Sequence, residues 1–436
     1  MPELHAGPEP HHMLPGKPFP GSLSGTRVAG IADRVGTPVW IYDAGTIRDQ
    51  VDHLRHFDVI RYAQKAGSNI HILRLMRELG VLVDAVSAGE VHRALTAGYM
   101  PGTAEEQIVF TADLLDLEAL KLVADRRIPV NAGSPKMLEQ LGRVSPGHPV
   151  WLRINPGFGH GHSRKTNTGG DHSKHGIWHE RLGETLGLVD LHGLKLVGFH
   201  MHIGSGVDYS HLEQVCDAMV EQVKRHGRDL EAISAGGGLS IPYAPDDPTA
   251  DTERYFNAWD AARHEISDYL GHSVRLEIEP GRFLVAESGV LASEVRAKKQ
   301  VAHNRFLLVD AGFNDLVRPA MYGSGHQVTI LAPDGSHCSG PLSNVVLAGP
   351  LCEAGDVFTQ SDSGDVQAMQ LPEAVMGDLA VFHDTGAYGS SMSSNYNSRP
   401  LIPEVLVDGD STTLIRRRQT VRELISLETE APGQLR

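Results

Sequence analysis

The chain has 436 residues, which at about 150 residues per domain suggests two or three domains. Its 39 basic and 54 acidic residues leave a formal charge of −15, spread along the chain, which argues against a nucleic-acid or anionic-membrane partner. Hydrophobic residues at 41% and charged residues at 21% exclude general disorder, and no apolar run approaches the roughly 18 residues that span a bilayer.

Residues 1–22 are rich in Pro, Gly and His and lack a basic stretch followed by an apolar run, so a mobile leader is expected rather than a secretory signal. Eight short, mostly apolar runs then alternate with helix-length segments. They are VIRYAQK (59–65), VLVDAVS (81–87), IVFTA (108–112), IPVNAG (128–133), VWLRIN (150–155), LVGFHMH (196–202), AISAGGG (232–238) and RLEIEPG (275–281). Continuous apolar runs suit strands buried on both faces of a parallel sheet. Between them, Ile72, Leu73, Met76 and Leu79 fall at helical spacing, as do Val215, Met219 and Val223. Asp113 stands where an N-cap is expected before LLDLEALKLVA. Eight strand–helix units in about 230 residues predict a (β/α)8 barrel over 44–284, with a doubly wound open sheet as the alternative.

The segment 156–175, PGFGHGHSRKTNTGGDHSKH, has no helical period and reads as a functional loop at the C-terminal face of the barrel. After Gly281, runs such as RFLLVD, NVVLAG, LAVFHD and EVLVD alternate with turn residues and predict an antiparallel β domain. Residues 23–43 are assigned to it together with 285–436.

Polar residues cluster at the predicted strand ends. Lys65 follows the first barrel strand, and a lysine among apolar neighbours can serve as a Schiff-base amine. His202 follows the sixth and offers a flat imidazole for stacking. Gly236, Gly237 and Gly238 follow the seventh and expose backbone N–H groups to an anion such as phosphate. Glu279, Pro280, Gly281 and Arg282 follow the eighth, where barrels commonly bind phosphate. A carboxylate such as Glu279 opposite a pyridine nitrogen would keep that nitrogen protonated. Lysine, phosphate cradle, carboxylate and stacking ring together describe a site for pyridoxal 5′-phosphate (PLP).

The motifs YAQKAGSN, VDAVSAGE, HMHIGSG, SAGGGLSIPY and EIEPGRFLVAESGVL resemble the fold-type III PLP decarboxylases. VDAGFNDLVRPAMYG, LAGPLCEAGDVF and DTGAYGSSMSSNYNSRP are similar, more narrowly, to the diaminopimelate decarboxylase family, and the long loop resembles its enterobacterial-type branch. The likeness runs from about Thr37 to Arg418. It implies decarboxylation of meso-2,6-diaminopimelate to L-lysine on PLP bound to Lys65. His202 would stack on the cofactor, Glu279 would pair with its ring nitrogen, and Ser205, Gly238, Gly281 and Arg282 would hold its phosphate. Arg282, Arg318 and Tyr322 would bind substrate carboxylate, Glu353 the substrate amine, and Tyr388 both cofactor and substrate. Cys352 would donate the proton. The resemblance also implies a homodimer in which Cys352 and Glu353 complete the partner's site. AQKAGSN and YGSGH depart from the family's common forms without touching a named role.

Three cysteines are an odd count without paired spacing, which points to a reducing cytoplasm. Cys216 reads as core and Cys338 as an exposed loop thiol. His200 and His202 form an H-x-H, repeated at His160 and His162, that invites a metal-hydrolase reading. Such a site explains neither GGG nor EPGR nor GPLCE, so no metal is expected. A decarboxylase of another amino acid (ornithine, arginine or carboxynorspermidine) and a non-catalytic PLP-binding protein are the remaining alternatives. The carboxylate-binding pair Arg318 and Tyr322 disfavours ornithine and arginine. The proton donor Cys352 disfavours the non-catalytic protein.

Overall fold

The computed structural model describes residues 17–102, 106–159, 168–204, 206, 209–361 and 363–430. They fall into two compact units. One comprises 48–241 and 249–284, and the other comprises 17–47, 242–248 and 285–430. The segment 242–248 thus lies within the span expected for the barrel but groups with the second unit.

The first strand, β1 (Val39–Asp43), belongs to the second unit. The barrel strands are β2 (Val59–Ala63), β3 (Leu82–Ala85), β4 (Ile108–Ala112), β5 (Val130–Ala132) and β6 (Pro149–Asn155), then, beyond the short β7 (Ile177–Trp178), β8 (Lys195–Met201), β9 (Ala232–Ser234) and β10 (Arg275–Ile278). All pair in parallel. The pairing of β10 with β2 and of β5 with β6 leaves no open edge, so the sheet is the closed barrel and not the open alternative. Strand β7 is an addition beside β6.

Helices cover the barrel as the apolar spacing requires. Ile72, Leu73 and Met76 are buried on the helix Ile70–Glu78, and Val215, Met219 and Val223 on Tyr209–His226. Each such side chain contributes about 1.5–3 kcal/mol by leaving water. One cap differs from expectation. The helix after β4 begins at Leu117, and Asp116, not Asp113, caps it by accepting from the Ala119 N–H at 2.7 Å. Asp113 has a different task, described below.

The second unit is built on the long strand β11 (Gly289–Val301), with β12 (Asn304–Val309), β13 (Val328–Leu331), β14 (Leu342–Ala348), β15 (Met369–Pro372), β16 (Leu379–Phe382), β17 (Glu404–Asp408) and β18 (Ser411–Arg416). Most pairings are antiparallel, as expected, but β1 with β17 and β12 with β14 are parallel, so the sheet is mixed. Val28, Ile31, Ile41, Val290, Val381 and Val405 meet in its core.

Of the expected leader, 1–16 lie outside the described residues. Residues 17–22 are engaged rather than loose. Lys17 pairs with Asp384 at 2.7 Å and Glu287 at 3.2 Å, and the Ser22 hydroxyl donates to Asp43 at 2.7 Å.

Candidate active site

The strand-end residues of the barrel do converge. Lys65 lies in a one-turn 3-10 helix, Gln64–Ala66, immediately after β2. Lys65 is exposed while Gln64 and Ala66 on either side are buried, and its charge reaches the buried Asp84 and His202. The Ala63 N–H donates to the Pro280 carbonyl at 3.0 Å, which ties the lysine turn to EPGR. The Glu279 N–H donates to the Gly236 carbonyl at 2.8 Å, which ties EPGR to the three glycines.

Those glycines are dictated by space. A Cβ would lie 2.4 Å from the Met201 carbonyl at Gly236 and 2.5 Å from the Glu279 carbonyl at Gly237. At Gly238 it would lie 2.5 Å from the Gly204 carbonyl. No side chain fits, and bare backbone lines the ends of β8, β9 and β10. Gly236 and Gly238 also adopt positive φ, +60° and +114°. Ser205, expected here as a phosphate ligand, lies outside the described residues, as do His160 and His162.

Glu279 is buried, and its Oε2 lies 2.7 Å from His200 Nε2. Burial alone would raise its pKa, but His200, Arg61 and Arg153 outweigh that and hold the carboxyl below its usual range. It is therefore an anion in the barrel interior. His202 is driven the other way. Burial, reinforced by the charges of Arg153, Lys65 and His200, lowers its pKa well below that of a free imidazole, so the ring is neutral at physiological pH. His200 is thus a partner of Glu279, and among the described residues no group of three His, Cys, Asp or Glu is arranged to hold a metal.

Several residues here have roles that the sequence expectations did not assign. Arg61 and Glu277 form a buried ion pair at 2.6 Å. Arg153, on β6, is buried and its charge acts on Glu279 and Asp84. Asp113 accepts from His175 Nδ1 at 2.6 Å and from the Gly176 N–H at 3.0 Å. Asn155 accepts from the N–H groups of Gly157 and Gly170 and donates to the carbonyls of Gly170 and His175. Asp113 and Asn155 together clamp the described ends of the long loop to β4 and β6. The signal available in the sequence was the charged residue inside an otherwise apolar strand, as in IRY, VDA, LRI and FHM.

Asp84, on β3, is also buried. Burial and the Glu279 charge push its pKa up to about 8, against a lesser opposing pull from Thr111 and Lys65. Between roughly pH 4 and pH 8 the folded chain therefore keeps a proton at Asp84 that the unfolded chain has lost. Protons bound in excess by the folded state make stability fall as pH rises through that window. Urea unfolding as a function of pH is expected to show wild type losing stability relative to Asp84→Asn between about pH 4 and pH 8. Parallel curves would refute the assignment.

In the second unit, Arg318 and Tyr322 begin and end the short helix Arg318–Tyr322, with Arg318 buried. Cys352 and Glu353 are exposed on the loop after β14. Asp356 shapes that loop by accepting from the Phe313 and Leu351 N–H groups, both at 2.7 Å. The Cys352 N–H donates to Asn397 at 2.9 Å, and the Tyr396 hydroxyl donates to Glu353 at 3.3 Å. Tyr388 adopts φ +57°, a strained value for a tyrosine of the kind that clusters at functional sites. Of the other thiols, Cys216 is buried and pushed up to about 12 by that burial. Cys338 is half-buried, with Sγ 3.8 Å from Asp378, and is not the exposed thiol expected.

A barrel with a lysine, a buried anionic carboxylate and a glycine cradle at one mouth defines a PLP-dependent enzyme. Residues 45–286 match the family model of the pyridoxal-dependent decarboxylase, pyridoxal binding domain. The diaminopimelate decarboxylase of Streptomyces coelicolor is 69% identical over 415 residues, covering 95% of this chain and 94% of that protein. That of Escherichia coli K12 is 63% identical over 394 residues, covering 90% and 94%. A crystal structure of a diaminopimelate decarboxylase, 61% identical, superposes with a TM-score of 0.91 over 93% of this chain and 97% of that one. The Helicobacter pylori enzyme complexed with L-lysine, 30% identical, superposes at 0.79 over 92% and 99%. The chain belongs to the diaminopimelate decarboxylase family of pyridoxal-dependent decarboxylases.

The cofactor is accordingly PLP, and the residues present fit it. The glycine cradle admits only backbone. Among the described residues, buried Asp84 Oδ1, Arg153 Nη2 and His202 Nδ1 have no hydrogen-bond partner, which leaves polar atoms for a polar guest.

Proposed function

We propose that the chain removes the carboxylate from the D centre of meso-2,6-diaminopimelate, giving L-lysine and CO2 as the last step of lysine biosynthesis. The observation that carries this reading is the buried anionic Glu279, braced by His200 and hydrogen-bonded through its own backbone to the glycine cradle. The names of the relatives at 63–69% identity supply the substrate.

Bound PLP supplies an electron sink for the pair left when a carboxylate departs as CO2. The chain's own residues do the rest. Lys65 Nζ would hold the cofactor. Glu279 would favour a proton on its ring nitrogen. His202, neutral, would offer the ring a flat face without adding a competing positive charge. Gly236, Gly237, Gly238, Pro280, Gly281 and Arg282 would hold the phosphate, and the family resemblance adds Ser205. Arg318 and Tyr322, with Arg282, bind substrate carboxylate, Glu353 takes the amine, and Tyr388 touches both cofactor and substrate. Cys352 returns a proton to the carbon that lost CO2. We further propose a cytoplasmic homodimer in which Cys352 and Glu353 serve the partner's barrel.

Product analysis after incubation with a panel of amino acids tests the substrate. L-lysine and CO2 from meso-2,6-diaminopimelate, with ornithine and arginine untouched, is the expected result. Turnover of ornithine or arginine in its place would overturn the reading.

A further inference from the structure

The second unit contains an aromatic and imidazole bracket around Arg318 that the assigned roles leave unexplained. The guanidinium carbon lies 4.5 Å over the face of the Tyr243 ring. Its Nη1 lies 3.1 Å from His326 Nε2, and its Nη2 donates to the Ser324 hydroxyl at 3.3 Å. His326 is buried, and its Nδ1 lies 2.8 Å from the His383 carbonyl. The Tyr243 ring meets His326 edge-on at 5.5 Å and 83°. Tyr243 is itself tied down, because Gln327 donates to its carbonyl at 3.3 Å and His383 N–H donates to the Gln327 carbonyl at 2.9 Å.

These contacts determine the proton on His326. A carbonyl can only accept, so Nδ1 carries the hydrogen. A guanidinium can only donate, so Nε2 is the bare acceptor. The imidazole is neutral, in one tautomer, with its orientation set at both ends. His326 and Ser324 each engage an N–H of Arg318, and the ring beneath fixes the plane of the fork. A guanidinium recognises a carboxylate through that planar fork, so its orientation decides how well it binds.

We propose that Tyr243 and His326 are positioning residues for substrate selection: they hold the Arg318 fork in the orientation that receives the carboxylate on the non-reacting carbon of the substrate. The proposal rests on the reading of Arg318 as a carboxylate ligand. Decarboxylation consumes the carboxylate on the reacting carbon, so the one left on L-lysine is the distal carboxylate. Cadaverine is L-lysine without it, and the pair isolates the contact.

Calorimetric titration of the PLP-loaded enzyme with L-lysine and with cadaverine tests the proposal. His326→Leu and Tyr243→Leu are each expected to weaken L-lysine binding by about tenfold, the scale of one oriented contact or cation–π interaction, and to leave cadaverine unchanged. The KM for meso-2,6-diaminopimelate should rise in parallel. His326→Gln, whose amide can donate to the carbonyl and accept from the guanidinium, should recover most of the lysine affinity, and Tyr243→Phe, which keeps the ring face, should retain it. Equal weakening of both ligands, or no change in lysine binding in either Leu variant, would overturn the proposal. Arg318→Met separates the two levels. If it abolishes the preference for lysine while both Leu variants preserve it, the positioning role fails and the carboxylate role stands. If Arg318→Met itself leaves the preference intact, the carboxylate role fails and the proposal falls with it.

Discussion

Mixing Lys65→Ala and Cys352→Ala chains, each nearly inactive alone, is expected to restore about a quarter of wild-type activity under conditions that exchange subunits. Lys65 follows a barrel strand, and Cys352 lies on a loop of the other unit. If each subunit of a two-fold dimer lends its Cys352 to the partner's barrel, a mixed dimer has one site with both defects and one with neither. At equal input and random pairing, half the dimers are mixed and each has one intact site of two. If both residues serve a site within one chain, every site keeps one defect and nothing is recovered. Absence of recovery despite demonstrated exchange rejects the shared site and leaves the decarboxylase reading untouched.

Replacing Glu279 by Gln should lower turnover by about 10²-fold or more, equivalent to roughly 3 kcal/mol of barrier. Gln keeps the size and can still bond to His200, 2.7 Å from the present carboxylate. What it removes is the charge that His200, Arg61 and Arg153 together keep on this buried group. In the proposed role, the pyridine nitrogen would then lose the partner that favours its protonated form, and the electron sink would weaken. Turnover unchanged in a variant that still binds PLP would show that Glu279 serves packing alone.

Much of the barrel was legible because its strands are buried on both faces. IVFTA at 108–112 coincides with β4, each of the other runs overlaps its strand, and β6 and β8 each begin one residue before the run. The glycine cradle and EPGR were legible because bare backbone and a charged tetrapeptide are conspicuous at strand ends. Contacts between distant segments were not. Nothing local distinguishes Asp113 from Asp116 as a cap. Only the fold, by bringing His175 and Gly176 to Asp113, assigns the first to the loop and the second to the helix. His200 suggested a metal ligand because its true partner, Glu279, lies 79 residues further on. The parallel pairing of β1 with β17 joins opposite ends of the chain, and strand periodicity carries no record of the neighbour. Tyr243 is similar: it ends the motif SAGGGLSIPY, whose glycines belong to the barrel, yet it groups with the second unit and packs against Arg318 there.

The central claim is that Lys65 carries the cofactor at the mouth formed by GGG and EPGR. Borohydride reduction of the holoenzyme, followed by proteolysis and peptide mapping, addresses it directly. The account predicts a bleached visible chromophore and a pyridoxyl group fixed on the peptide containing Lys65, with neither appearing in Lys65→Ala. A pyridoxyl group on any other lysine of the wild-type chain would contradict it.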